Sequence, residues 1–582
     1  MTRPSARALL GAVSALAAVL VAGAAAAQAV PTDPLVNNTS GCPLITQPVV
    51  ANMFQTHTVT LNGVVTAADS TQFLAPNCGF FQWSEQMFLW MTSPAPASYG
   101  GGSRIMFSPK FYTVTPEGSD GRRSFIANNP RLPLQMALRK TELGPHGLPA
   151  LMTRTGQVVE VQKTEKPVPP IVRLPTGTLV TLSAARRAPN GALRLFDTKG
   201  AEIQASRLAL PMIVRPKIMI APGKFVPVVP AHAIQTSIVA RKFILNKIPI
   251  FIDSAGNIID VEPGQADGGV LLSQNGSLIY YITVVNDLYA FDRTMKGPAV
   301  INAPTSINFP TTAAQGAAVA AFALTKGHTI LEPQALAVES KSSWIEASSV
   351  PNPGDYIQAE AVVPVFNTSN PDSWTPTGAT KTVKVVMVGI HVVGSTLGHG
   401  EMVWGTFEHL GNAPNASYTY ASTTGSKTLG LLPGQAVTGS WTFTPTGSTG
   451  PFNGPATGPS TSWSGTAIVG TPVSSTPVLR AKPWGVDGTN SFLNTQVISA
   501  NAAVIKALKP GDVRANYFQL GTTWTAGGAV PSPGTEVGSN QLANATIETF
   551  MQSSVPGSNC FLCHQSNNVS VSHIYGVLKP LP

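Results

Sequence analysis

Charge is scarce in this 582-residue chain, where Asp, Glu, Lys and Arg together make up 11% of the residues. Long solvent-facing helices need charged outer faces, so they are excluded as the main building material. Cysteine is scarcer still, with four residues at Cys42, Cys78, Cys560 and Cys563, too few for a disulfide-built scaffold. The sequence has no G-x-S-x-G elbow and no H-E-x-x-H helix, which removes the signatures of the serine and zinc hydrolases. The glycine run from Tyr99 to Ser103 has no strand-then-helix setting and reads as a loop. No unit recurs at a fixed period. Beyond the N-terminus no apolar run is long enough for a membrane helix; the longest, Val383 to Gly394, reads as a buried strand. No methionine follows Cys563.

What is present begins with the rare cysteines. Cys560, Phe561, Leu562, Cys563 and His564 form a C-x-x-C-H run. Two thiols at this spacing reach the two vinyl groups of one haem as thioethers, and the adjoining imidazole falls under the iron as its proximal ligand. A redox dithiol of the same spacing opens the helix of a βαβ unit, whereas here Pro556, Gly557, Ser558 and Asn559 precede it. Structural zinc needs two further ligands, and His573 is the only near one. The run therefore predicts one covalent haem c on Cys560, Cys563 and His564.

The N-terminus points to the compartment that such a haem requires. Arg3 and Arg7, an apolar run from Ala8 to Ala22 and the small-residue tract ending Ala27, Gln28, Ala29 have the layout of a secretory signal cleaved after Ala29. The expected location is a bacterial periplasm, cell surface or the medium. In that oxidising space Cys42 and Cys78 are expected to form a disulfide, worth about 3 to 4 kcal/mol by chain entropy. A buried thiol pair is the alternative.

Gly 53 and Pro 50 speak for many turns. The predicted fold is mainly β with a few helices, a β-rich α+β chain whose body is a β-sandwich or large twisted sheet, with a short C-terminal helical haem segment. The expected organisation is a signal peptide over 1–29, an N-terminal segment with a buried helix over 30–138, a basic β-rich insert over 139–250, a β-rich main body over 251–540 and the haem segment over 541–582. From Thr32 to Asn77 the pattern is loops and short strands, such as Thr58 to Thr66. Phe80 to Met91 is apolar nearly all round, which predicts a buried helix; its Met and Trp residues read as core, with a cofactor wall as the alternative. Ala313 to Leu324, Asn494 to Leu508 and Leu542 to Met551 read as helices. Ala335 to Ala347, Ala359 to Val365, Lys381 to Val393 and Glu401 to Glu408 read as strands, and Asn275-Gly276 as a hairpin turn. Ser440 to Pro477 is a low-complexity weave that predicts a surface loop.

The insert carries the basic character. Residues 139–247 hold 17 Lys and Arg against 5 Asp and Glu, a net of +12, while residues 30–582 as a whole carry +7. Such a surface suits an anionic partner: an acidic redox protein docking near a haem edge, a polyanionic glycan or the outer-membrane surface. A solvated face without a partner is the plain alternative. Nucleic acid is excluded by export and by the lack of interleaved aromatic and basic residues.

Several runs carry a resemblance. They are Phe81 to Met91, Lys341 to Trp344, Gly389 to His391, Trp404 to His409 with Asn412 and Pro414, Tyr517 to Trp524, and Leu542 to Gln552 leading into the haem cysteines. Together they resemble a family of large bacterial exported cytochrome c family proteins. The likeness covers most of the chain after the signal, is strongest from about Lys341 onward and is weak across the basic insert. It implies a single C-terminal c-type haem and no settled reaction.

The other axial position of the iron separates the function classes. A second strong ligand gives a closed haem that only passes electrons; an open position admits peroxide, oxygen or another small ligand. With no methionine downstream, the candidates are His573, then His409, then His391, with Met551 as a fourth. Glu408 beside His409 is a candidate to fix that imidazole or to act with it as a distal acid and base. The expected function is electron transfer by an exported mono-haem c-type cytochrome. The alternatives are a peroxidase- or oxygenase-like haem oxidoreductase, and a binding surface stapled by its haem.

Overall fold

The apolar runs of the second half of the chain gather into one twelve-stranded sheet. The computed structural model describes residues 30–35, 45–73, 79–115, 123–138, 150–152, 158–162, 169–187, 193–207, 217–221, 224–227, 238–246, 248–259, 270–295, 309–450, 452–453, 461–463, 467–470, 472–485, 492–531, 535–539, 542, 544–549, 560–564, 572, 578–579 and 581. The signal run, Cys42, Cys78, Met551 and His573 lie outside the described residues.

Eight strands give the path of the sheet: β1 (Phe111–Val114), β2 (Phe125–Ala127), β3 (Tyr280–Asn286), β4 (Val338–Glu346), β5 (Ser373–Thr396), β6 (His399–His409), β7 (Tyr517–Thr525) and β8 (Glu536–Gly538). Their spatial order is β2-β1-β3-β4-β5-β6-β7-β8, and every pairing along it is antiparallel. The chain is thus mainly β, as its composition and patterning led one to expect. The strand expected over Lys381 to Val393 is part of the 24-residue β5. The first half of β5, rich in Thr, Gly, Pro and Lys, is largely exposed and pairs with the strand Gln358–Asn367. The second half, Val-Val-Met-Val-Gly-Ile from Val385, is buried between β4 and β6. A continuous apolar run is what a strand covered on both faces requires.

One face of the sheet is covered by the buried helix. Helix α1 (Gln47–Met53) precedes it, where loops and strands were expected; Pro48 sits in its first turn, where its missing N–H forfeits no intrahelical bond. Helix α2 (Gly79–Met91) buries all its residues except Gly79, Gln82 and Gln86. Phe88 stacks on Phe407 of β6 at 4.4 Å between ring centroids, and the Trp83 indole donates to Ser70 Oγ at 2.9 Å. Gly405 lets the helix approach, because a Cβ there would run into Ser84. The Met and Trp residues of α2 are therefore core.

Helices α3 (Asp287–Met295), α4 (Ala313–Thr325) and α5 (Phe492–Ala507) complete the body. Thr312 and Gln315 close a capping box at the start of α4. The Asn275-Gly276 hairpin is present, with the Ser273 N–H donating to Ser277 O at 2.8 Å. The expected surface loop over Ser440 to Pro477 needs correction. It contains the short strands Ser462–Trp463 and Ile468–Val469, the latter pairing with the start of β5, and it buries Phe443 and Ile468. Scattered apolar residues in a Gly, Ser and Thr weave are enough to seat it. In the basic insert, strands from Ala150–Met152 to Ile248–Asp253 form two four-stranded sheets and one two-stranded sheet apart from the main one. Val172, Leu182, Leu195, Ile250 and Ile258 are a small core of their own, which runs slightly past residue 250.

Candidate functional site

Successive residues of a strand face opposite ways, so the register of the sheet decides what meets the C-terminal segment. Glu339 of β4, Val393 of β5 and Trp404 of β6 are opposite one another in one row. Lys341, His391 and Thr406 form the next row on the same face. This face is turned away from α2, and the end of the chain lies on it.

The C-x-x-C-H run forms a single helical turn, α6 (Cys560–Cys563), closed by the His564 N–H donating to Cys560 O at 3.0 Å. Phe561 is fully buried and meets Trp404 edge-on. The His564 imidazole lies against the Trp404 ring, with centroids 4.4 Å apart and planes at 51°. Cys560 is half-buried. The Trp404 Nε1–H is shut off from water and has no acceptor among the described residues.

One row further along, the incoming segment is fastened by a closed ring of hydrogen bonds. The Asn544 amide Nδ2 donates to Thr406 Oγ1 at 3.0 Å, and the Thr406 hydroxyl faces His391 Nδ1 at 2.8 Å. His391 Nε2 donates to Glu548 Oε1 at 2.6 Å, and Glu548 Oε2 accepts from the Asn544 backbone N–H at 3.0 Å. Asn544 Oδ1 also accepts from the N–H groups of Thr546 and Ile547. The helix expected over Leu542 to Met551 is, among the described residues, this side-chain-capped turn. Asn and Thr compete with helical backbone bonds and favour caps. Gly389 of β5 leaves the space it occupies, since a Cβ there would meet Thr546, Asn544 and Ser343.

Beneath the turn is a buried ion pair. Glu408 Oε2 accepts from Arg480 Nε at 2.7 Å, with both side chains fully buried, and Glu408 Oε1 accepts from the Ala545 N–H. Burial pushes the Glu408 carboxyl up in pKa, against the pull of Arg480 and the Ala545 N–H. The remaining Arg480 N–H groups go to Asn415 Oδ1 and to the carbonyls of Ala413, His409 and Leu410.

These contacts sort the histidine candidates. His391 is on the same face as Trp404, but both its nitrogens are engaged by Thr406 and Glu548. His409, the neighbour of Glu408 in β6, points to the α2 side, where it stacks on Tyr356 at 3.7 Å. Its Nδ1 accepts from the Gly411 N–H at 3.1 Å, and burial lowers its pKa to about 3. The expected Glu408-His409 pair is therefore corrected: strand alternation sends the two to opposite faces, and the carboxylate is spent on Arg480. Both histidines are held as hydrogen-bonded structural residues. His573 lies outside the described residues; its chain neighbour Ser572 is hydrogen-bonded to the Tyr289 hydroxyl at 2.7 Å and also bonds Glu339. Comparisons with known protein families, curated proteins and solved structures found no match for this chain. Trp404, Arg480 and Glu548 were not singled out from the sequence as site residues; Trp404 and Glu548 lie in the resembling runs, whereas nothing in the sequence pointed to Arg480.

Proposed function

We propose that the chain is an exported mono-haem c-type cytochrome, similar to the large bacterial cytochrome c family proteins, that transfers electrons through one haem joined to Cys560 and Cys563. The observation that carries this reading is the C-x-x-C-H run itself, folded as one helical turn with His564 seated against Trp404. The residues fit such a group: two thiols three positions apart, an imidazole at the next position, and a buried indole donor without an acceptor among the described residues. When bound, the haem supplies a one-electron iron couple.

The chain's part is to bind and hold. Cys560 and Cys563 would hold the group covalently and His564 would ligate its iron. Phe561 anchors the turn in apolar surroundings, and Trp404 covers one side of the imidazole. The hydrogen-bond ring around Asn544 and the Glu408–Arg480 pair fasten the approach to a broad sheet. His573 is the proposed sixth ligand, because His391 and His409 are engaged elsewhere. An acidic redox protein is the proposed partner, with the basic insert as a docking aid, and the periplasm or cell surface is the proposed location. No described helix is long and apolar enough to cross a membrane.

The test is a pyridine haemochrome assay on the exported protein, followed by ferrous spectra with and without carbon monoxide. A c-type haemochrome at one haem per chain and a low-spin spectrum unmoved by carbon monoxide are expected. Prompt carbon monoxide binding with a high-spin ferric band would favour the haem oxidoreductase over the carrier. A Cys563→Ala protein retaining both thioether bonds would remove the cofactor assignment.

A further inference from the structure

We infer that Trp404 is a haem-positioning residue whose indole N–H is held for one of the haem's carboxylate side chains. This rests on the covalent-haem reading above and adds to it a recognition contact 156 residues before Cys560 in sequence.

The fold leaves few indoles in this state. Trp83 donates to Ser70, Trp90 to Tyr99, Trp344 to Ser342 and Trp441 to the Thr438 carbonyl. Among the described residues, only Trp404 and Trp484 have a buried N–H without an acceptor, and Trp484 is packed in the core on Tyr418 and Phe518. Trp404 instead touches the haem-binding turn through both Phe561 and His564. A buried donor left unmade carries the penalty of its lost hydration, and water does not reach this one. The haem is the partner of the Cys560–His564 turn that brings anionic oxygens with it, and a hydrogen bond to a charged acceptor is stronger than a neutral one. Glu339 in the same row also keeps a buried oxygen without a partner among the described residues, but its carboxyl is already tied to Ser572, whereas the Trp404 N–H can only donate and has no acceptor among the described residues. Position on the proximal side, closure to water and the sign of the unmet group all select Trp404.

The experiment is nitrogen-15 NMR of the tryptophan indoles in the holoprotein, ferrous and ferric, together with Trp404→Phe. One indole N–H is expected to shift with the oxidation state of the iron, to exchange with solvent at least tenfold more slowly than exposed indoles, and to vanish in the variant. Trp404→Phe should keep covalent haem at wild-type stoichiometry and show a lower midpoint potential, because a less compensated carboxylate favours ferric iron. A Trp404 signal that exchanges at the exposed rate and ignores the iron would overturn the inference while leaving the haem reading intact. So would an unchanged potential in a haem-loaded variant. Wild-type protein without covalent haem would remove the reading beneath it instead. The exchange measurement needs only the wild type, its signal marked by the oxidation-state shift, so it stands even where the variant fails to fold.

Discussion

Removing Glu408 should loosen the C-terminal segment of the chain more than any change at its surface. In Glu408→Ala the Arg480 guanidinium keeps its contacts to Asn415 and to the carbonyls of Ala413, His409 and Leu410, but in a fully buried place it loses the one carboxylate that pairs with it among the described residues. Breaking such a pair from one side costs about 3–5 kcal/mol. If that energy falls on local opening, amide exchange of β6 and residues 544–549 accelerates by roughly 150-fold to several thousand-fold, up to the limit of global unfolding. The opposite deletion behaves differently. In Arg480→Met the stranded carboxyl, already pushed up by burial, takes a proton, so the damage is smaller at pH 5 than at pH 8. Glu408→Ala gains nothing from acid because arginine does not release its proton. The double variant Glu408→Leu, Arg480→Met should be less damaged than Glu408→Ala, since apolar side chains of similar volume often replace a buried pair without loss. Hydrogen exchange followed by mass spectrometry measures all three. Exchange in Glu408→Ala within threefold of wild type, or a double variant as loose as that single one, would refute the reasoning.

Three further outcomes follow from the packing. Gly389→Ala puts a methyl group into Asn544 and Thr546, which should unseat residues 544–549 at a cost of about 1–3 kcal/mol; limited proteolysis should cut near this segment while α2 stays protected. Glu85 on α2 is buried and pushed up to about 8 from 4.5 by burial, so the stability it allows is full below pH 4.5 and lost as pH rises through about 8. Glu85→Gln should match wild type at pH 4 and exceed it at pH 9 by up to about 4 kcal/mol, read from denaturant melts across that range. His409, lowered to about 3 from 6.5 by burial, gives the reverse slope: its contribution is full above pH 6.5 and falls away between 6.5 and 3, by up to about 4 kcal/mol. His409→Gln should flatten the acid limb of the melting-temperature profile.

Much of the body was readable from residue order alone. The all-apolar run of α2, the Ala-rich α4 behind its Thr312 cap, and the valine-rich centre of β5 carry their periods in local sequence, so short-range rules found them. Three features escaped. Helix α1 is too short to build a period, and its proline reads as a breaker until it is known to sit in the first turn. The 440–477 weave hides Phe443 and Ile468 among turn residues, and burial of single side chains has no local signature. The Leu542 segment has helical composition, but Asn544 and Glu548 are drawn off to Thr406 and His391, which are more than 130 residues away.

The sequence by itself determined the C-x-x-C-H run at Cys560, Cys563 and His564 on which the haem proposal rests, because the spacing of two thiols and an adjacent imidazole is a property of five consecutive residues. It also determined the β-rich class, through composition and alternation. It could not decide which histidine stands near the site or what the motif rests on. Those depend on strand order and register: pairing β5 with β6 sets Trp404 and His391 on the face that meets the C-terminal turn, and turns His409 to the core. A strand's two faces are indistinguishable until its neighbours are known, so the tertiary structure alone separated Trp404 and Glu408 from His409.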